Sequence, residues 1–261
     1  MKAELITSLQ NPKIKNLVKL SEKSSERRSQ NLIIVEGLRE IQIAVEARFE
    51  IEQLYFCEAL GASQDTLQAN TYFEISKEVF SKIAYRESSD GYIAIFKPRY
   101  FTLENLKLSE HPFIIILESV EKPGNLGAIL RTADAAHVDA LIVCDPKTDI
   151  YNPNAIRSSV GCVFSVPVVT GTNQEVFDWL KAKGIKAYAS ALTAQTEYTD
   201  VDFKESSAVV MGTEATGLSS FWLNNAEDQI KIPMLGKIDS LNVSTSTAIL
   251  TFEALRQRQK N

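Results

Sequence analysis

The sequence predicts an α/β fold, with a small alternating α/β unit followed by a larger, doubly wound parallel sheet. Two observations lead there. Apolar runs of strand length alternate with helix-length segments along the 261-residue chain, which is the pattern βαβ units leave in a sequence. One run, "FIIILESV" from Phe113 to Val120, is almost continuously apolar, as a parallel strand covered on both faces must be.

Taken in order, the first hundred residues open with a helix from Pro12 to Leu20. "NLIIVEG" follows as a strand ended by Gly37, then "LREIQIAVEA" as a helix and "IEQLYFC" as a strand. "GYIAIFKP" closes this unit as another strand. The polar stretch "RYFTLENLKLSEHP" ends in Pro112 and marks a boundary near residue 107, dividing the chain into 1–107 and 108–261. Beyond it "FIIILESV" is a strand, "GNLGAILRTADAAH" a helix and "VDALIVCD" a strand. "SVPVVT", "NQEVFDWLKAKG", "IKAYASAL", "AVVMGTE" and "IKIPM" continue the alternation.

The 44 % hydrophobic content is that of a globular protein. No window approaches the roughly 18 apolar residues that span a bilayer, and the amino terminus has no apolar signal core. The expectation is a soluble, cytoplasmic protein with no membrane partner. Cys57, Cys144 and Cys162 are widely spaced without a CxxC, which fits a reducing compartment. With only His111 and His137 besides, no metal site is expected. The net charge of −5 taken alone argues against a nucleic-acid binder. Residues 1–31, however, hold seven basic side chains against three acidic ones, a local +4 that serves equally as a solvated helical face or as a footprint for RNA.

In a doubly wound sheet ligands sit beyond the carboxyl ends of the strands, and three such places stand out. After the first strand of the second part, Pro123 and Gly124 force a turn and Asn125 can cap the helix. Arg131 follows within a small, apolar helix, where it either pairs with a carboxylate such as Asp134 or faces a ligand. After "AVVM", Gly212 and Gly217 bracket Glu214, an arrangement that suits a loop held close to something or simply a tight turn whose acid meets a helix dipole. After "IKI", Pro233 frees the backbone to turn outward, and the chain reaches "DSLNVSTSTAILTFEAL", where far more hydroxyls crowd a helix start than one Ser or Thr cap requires.

Together, "NLGAILRTA", "GTEATGL" and "IPMLGKIDSLNVSTSTAILTFE" resemble the three ordered motifs of the SpoU (TrmH-like) family of SPOUT RNA methyltransferases, over roughly residues 113–256. "SLQNPKIKNLVKLSEKSSERR" with "NLIIVEG" resembles, more loosely, the RNA-binding domain similar to ribosomal protein L30e that precedes the catalytic domain in many members. The resemblance implies S-adenosylmethionine-dependent methylation of a ribose 2′-hydroxyl in structured RNA, with ribosomal RNA favoured over transfer RNA. It also implies a homodimer, and a parallel sheet whose carboxy-terminal segment is threaded into a deep trefoil knot, a rare exception to unknotted chains. The hydroxyl-rich segment would then be a thread and a pocket wall at once, its small polar side chains satisfying backbone that no ladder reaches.

By the same resemblance, Gly212, Ile232, Met234, Leu241 and Ser244 hold the cofactor, while Asn125, Arg131, Glu214, Ser240 and Asn242 match the catalytic set. Holding any arginine neutral at pH 7 costs roughly 7–9 kcal/mol, whereas general-base catalysis returns only about 3–5 kcal/mol. Arg131 is therefore expected to clamp the substrate phosphate and the developing oxyanion, with Glu214 orienting it or its loop. Ser246 and Thr247 stand where relatives more often have alanine. Two other classes compete. A non-catalytic RNA-binding module is disfavoured by the intact catalytic set, and a nucleotide-dependent oxidoreductase by the missing G-x-G-x-x-G.

Overall fold

In a computed structural model, which describes residues 3–85, 89–213 and 215–259, the chain divides into two compact units. One comprises Met1–Arg99 with Tyr151–Ser165, the other Tyr100–Ile150 with Val166–Asn261.

The first unit is built from β1 (Glu4–Ile6), α1 (Pro12–Glu22), α2 (Ser24–Gln30), β2 (Ile33–Glu36), α3 (Leu38–Glu46), β3 (Ile51–Phe56), β4 (Thr71–Ile75), α4 (Lys77–Ile83) and β5 (Tyr92–Phe96). Its sheet runs β1-β4-β3-β5-β2, with β5 antiparallel to β2 and β3 and the other pairs parallel. The Asn11 side chain caps α1 by accepting from the Lys13 amide, and Pro12 occupies the first turn, where its missing N–H costs nothing. Gly37, at φ 104°, ends β2 in a conformation that favours glycine. Ile14, Leu17 and Leu20 of α1 are buried with Ile34, Tyr55, Phe73 and Ile93.

The amino-terminal basic excess is partly structural. Arg27 is buried and donates to the carbonyls of Leu20 (2.6 Å) and Ser21, tying off the end of α1. Lys13 pairs with Glu4 at 3.0 Å. Lys15, Lys19, Lys23 and Arg28 remain exposed.

The chain continues through β6 (Phe113–Glu118), α5 (Pro123–Ala135) and β7 (Ala140–Cys144). Two short helices, α6 (Pro153–Ser158) and α7 (Cys162–Ser165), then belong to the first unit. The second unit resumes with β8 (Val168–Gly171), α8 (Asn173–Lys183), β9 (Lys186–Ser190), β10 (Thr196–Glu197), β11 (Ser207–Met211), α9 (Ser220–Asn225), β12 (Asp228–Lys231) and α10 (Val243–Arg258). Its seven strands run β10-β12-β9-β11-β6-β7-β8, and every pair is parallel. The doubly wound parallel sheet expected from the sequence is thus present.

Ile114, Ile115, Ile116 and Leu117 are all fully buried. Successive strand residues face opposite sides, so both faces of β6 are covered. Ile114 and Ile116 pack in one cluster with Val176 and Leu180 of α8 and Trp222 of α9, while α10 packs against α5, β6 and β11. Arg258, in the last turn of α10, donates to the carbonyls of Phe203 and Glu205 and to the Ser207 hydroxyl. Its burial lowers the guanidinium pKa from the usual arginine value. The helix end is therefore tied to the start of β11.

Candidate active site

The strand order reverses at β6 and β11. From β6 the sheet grows through β7 and β8 on one side, and from β11 through β9 and β12 on the other. Ligands collect at the carboxyl ends of such a switch point. Three connections leave that edge, 119–122 into α5, 212–219 into α9 and 232–242 into α10.

At the first connection the helix begins at Pro123, with Lys122 as its N-cap. Asn125 is therefore inside the first turn and does not cap, contrary to the expectation from sequence; with proline at the first helical position the cap falls three residues earlier, at Lys122. The Asn125 side chain instead meets the third connection. Asn242 caps α10, its Oδ1 accepting from the Ser244 amide at 2.9 Å and from Ser244 Oγ at 2.6 Å. The cap is thus an asparagine, not one of the crowded hydroxyls. A backbone N–H can only donate, so this bond fixes which way the Asn242 amide points. Its Nδ2 then donates to Asn125 Oδ1 at 3.3 Å. Among the described residues Asn125 Nδ2 is then buried without a hydrogen-bond partner, a costly state for a donor.

The hydroxyls behind the cap divide their duties. Thr247 is fully buried and returns its hydroxyl to the Val243 carbonyl at 2.7 Å, a satisfied side chain on a packed helix. Ser246 lines a cavity with Ser190, Leu192, Ile232, Met234 and Leu241. Three of the five expected cofactor residues, Ile232, Met234 and Leu241, therefore share one hollow, while Ser244 is engaged with Asn242. Among the described residues no backbone–backbone hydrogen bond ties down 233–241, so main-chain donors and acceptors lie beside apolar walls, the combination by which ligand pockets fix orientation.

Gly212 leaves β11 in close contact with the end of its own loop. A Cβ there would lie 2.2 Å from the Gly217 carbonyl carbon and 2.4 Å from the Leu218 nitrogen. Thr213 and Gly217 exchange two backbone hydrogen bonds, and Gly217 takes φ 68°, closing the loop. Glu214 lies outside the described residues. Arg131 is exposed on α5 and makes no hydrogen bond or ion pair among the described residues, so the expected alternative of a structural pair with Asp134 is not what holds it. Ser240 is exposed ahead of the cap.

One group at this edge has no counterpart in the sequence-based expectations. Glu118, the last residue of β6, is 4 % exposed. Its Oε1 accepts from Asn173 Nδ2 at 2.7 Å and Ser219 Oγ at 2.6 Å, and its Oε2 from the Ser219 amide at 2.7 Å. Asn173 Oδ1 in turn accepts from Trp222 Nε1 at 2.6 Å. The carboxylate thus pins the far end of the 212–219 loop and the entry to α9. Burial, with Asp145 and Glu118 nearby, pushes the Cys144 thiol far above its ordinary value, which makes it an inert core group. The available sequence signal was an acid closing an otherwise apolar run.

A doubly wound parallel sheet, with a glycine-tight loop and an unladdered strand exit at its switch edge, defines an α/β ligand-binding domain. The model of the SpoU rRNA Methylase family matches residues 112–252, and that of the MRM3-like substrate binding domain matches residues 11–94. The chain belongs to the SpoU rRNA methylase family. It is 29 % identical over 247 residues to the 23S rRNA (guanosine(2553)-2′-O)-methyltransferase RlmP of Bacillus subtilis, covering 95 % of this chain and 97 % of that one. A solved RNA 2′-O ribose methyltransferase shares 38 % identity at a TM-score of 0.85, over 98 % of this chain and 99 % of its own. The AdoMet-bound rRNA methyltransferase from Sinorhizobium meliloti shares 29 % at a TM-score of 0.88, over 97 % and 98 %.

Proposed function

We propose that this protein methylates a ribose 2′-hydroxyl of ribosomal RNA, using S-adenosylmethionine. The observation that carries the proposal is the oriented relay from the Ser244 amide through Asn242 to Asn125, which ends in a buried N–H that meets no acceptor among the described residues. An arriving acceptor would relieve the desolvation cost of that N–H, about 1–3 kcal/mol, and a ribose or phosphate oxygen is an acceptor that a nucleic acid brings. The membership of the SpoU family and the names of the relatives support the same conclusion.

S-adenosylmethionine, when bound, supplies an activated methyl group. The fit is supported by the hollow of Ile232, Met234 and Leu241, with unladdered backbone alongside for the adenine edge. Gly212 and Ser244 are assigned to the rim of that site, and Glu214 to orienting Arg131 or its loop. The remaining task is placement of the hydroxyl, worth up to about 7–11 kcal/mol for a well-aligned pair. Asn125 and Ser240 hold the ribose, Asn242 holds Asn125, and Arg131 clamps phosphate and developing oxyanion charge with its planar fork. The proposed division is a substrate-binding part over 1–107 and a catalytic part over 108–261, with 233–242 threaded as a knot. A cytoplasmic homodimer completes the proposal, and Phe252, 46 % exposed on α10, is a side chain available to such a contact.

Mapping 2′-O-methyl positions across total RNA from cells with and without the gene, by resistance of the modified linkage to alkaline cleavage, tests this directly. Loss of one ribosomal RNA site on deletion is expected. Loss of a transfer RNA site instead would move the substrate, and no loss under several growth conditions would leave an RNA-binding module that merely retains the fold.

A further inference from the structure

The first unit carries an exposed aromatic ring with an arginine laid across it. Tyr85 is 61 % exposed, and its backbone amide is pinned by Glu36 Oε2 at 2.7 Å. The Arg157 guanidinium carbon lies 4.1 Å from the centre of its ring, close enough for stacking of the two planes. Arg157 is itself held by Asn154 Oδ1 at 3.0 Å. Two hollows meet at this ring and share Ile34, Glu36 and Pro153. One continues to Asn154 and Arg157, the other has the apolar walls Leu17, Ile83 and Ile93. Arg157 and Asn154 belong to α6, in the segment 151–165 that packs with the first unit although it lies far along the chain.

A ring with one face under a guanidinium and 61 % of its surface exposed offers a stacking platform among the described residues. Both planes are ones on which unpaired bases stack, the arginine adds charge for the phosphate, and this mode reads single-stranded or looped RNA. Asn154 stands beside the ring with a side-chain amide, a donor for a base edge. We propose that Tyr85 and Arg157 form a subsite for one unpaired nucleotide of the RNA substrate, the base stacking on Tyr85 and Arg157 holding the adjacent phosphate. The proposal rests on the RNA-methyltransferase function proposed above.

The test uses the full chain and fluorescein-labelled single-stranded RNA octamers, with affinity measured by anisotropy at a fixed salt concentration. Tyr85→Ala is expected to weaken binding by about five- to a hundred-fold, the range set by losing one stacked base, and Tyr85→Phe to stay within about two-fold because the ring remains. Arg157→Lys, which keeps the charge but not the plane, is expected to fall between the two. Unchanged unfolding temperature and unchanged S-adenosylmethionine affinity by calorimetry separate these effects from misfolding and from the cofactor site. Octamers carrying 4-thiouridine are expected to crosslink to the peptide containing Tyr85. Equal affinity of Tyr85→Ala and the parent, failure of the parent to bind any octamer, or crosslinks confined to other peptides would each overturn the subsite. Failure of the methylation map with a positive result here would instead overturn the enzyme proposal and leave the subsite standing.

Discussion

Replacing Glu118 by glutamine removes one charge and almost no volume, yet the donors around it allow no rescue. Three donor groups converge on the carboxylate, from Asn173 Nδ2, Ser219 Oγ and the Ser219 amide. If the glutamine NH2 takes the place of Oε2, it faces the Ser219 backbone N–H, a donor that cannot turn. If it takes the place of Oε1, it faces Asn173 Nδ2. Asn173 cannot flip without giving up its bond to Trp222 Nε1. Either way one buried donor meets another, at about 1–3 kcal/mol, and the remaining bonds lose their charge assistance. A total near 2–4 kcal/mol corresponds to a fall in Tm of roughly 5–15 °C for a domain of this size. The assay is thermal unfolding followed by calorimetric titration with S-adenosylmethionine, because freeing Ser219 loosens the loop that begins at Gly212. Ser219→Ala keeps the amide bond and should cost less, about 0.5–1.5 kcal/mol. A Glu118→Gln protein that melts within about 2 °C of the parent and binds cofactor equally would refute the claim that this carboxylate sets the loop.

Gly212→Ala places a Cβ 2.2 Å from the Gly217 carbonyl carbon, where only backbone can give way. Cofactor affinity should fall at least about tenfold in calorimetry, with about 1–3 kcal/mol of stability lost, and parental affinity would remove this loop from the site. Asn242→Ala loses the cap and about 1 kcal/mol. Asn242→Asp keeps the cap, but its second oxygen turns Asn125 round to donate and so consumes the free N–H. Stability within about 0.5 kcal/mol of the parent with a large loss of single-turnover rate is expected, and an active Asp variant would sink the relay. Arg131→Lys retains charge without the fork and should reduce turnover at least as much as RNA binding; near-normal turnover would exclude the clamp.

The strands of the second unit were legible because apolar runs bounded by glycine, proline or acid leave few alternatives, and the three motif segments followed from their small and hydroxyl residues. The shorter elements were not. β1, β4, α4 and the two-residue β10 acquire their conformation from neighbours distant in sequence, such as the pairing of Leu5 with Glu74. Asn125 was readable as a functional residue but not as a partner of Asn242, 117 positions away. Glu118 was hidden more completely. At the end of "FIIILE" it reads as the polar exit of a strand, and its role depends on Asn173 and Ser219, 55 and 101 residues further on. Nor does anything local in 151–165 show that its buried Ile156, Val163 and Phe164 will complete the first unit's interior.

That last segment bears on how the chain folds as it is made. A domain encoded by one unbroken stretch can close as soon as its last residue leaves the ribosome. Here the first unit stops at Arg99 and is finished only by Tyr151–Ser165. At synthesis rates of about 5–20 residues per second, roughly 3–13 s separate the two events, and β6 and β7 emerge in the interval. The nascent first unit therefore waits with apolar surface uncovered while strands of the second are already outside, so pulse proteolysis of stalled chains should find it labile at residue 110 and resistant once residue 165 has cleared the exit tunnel.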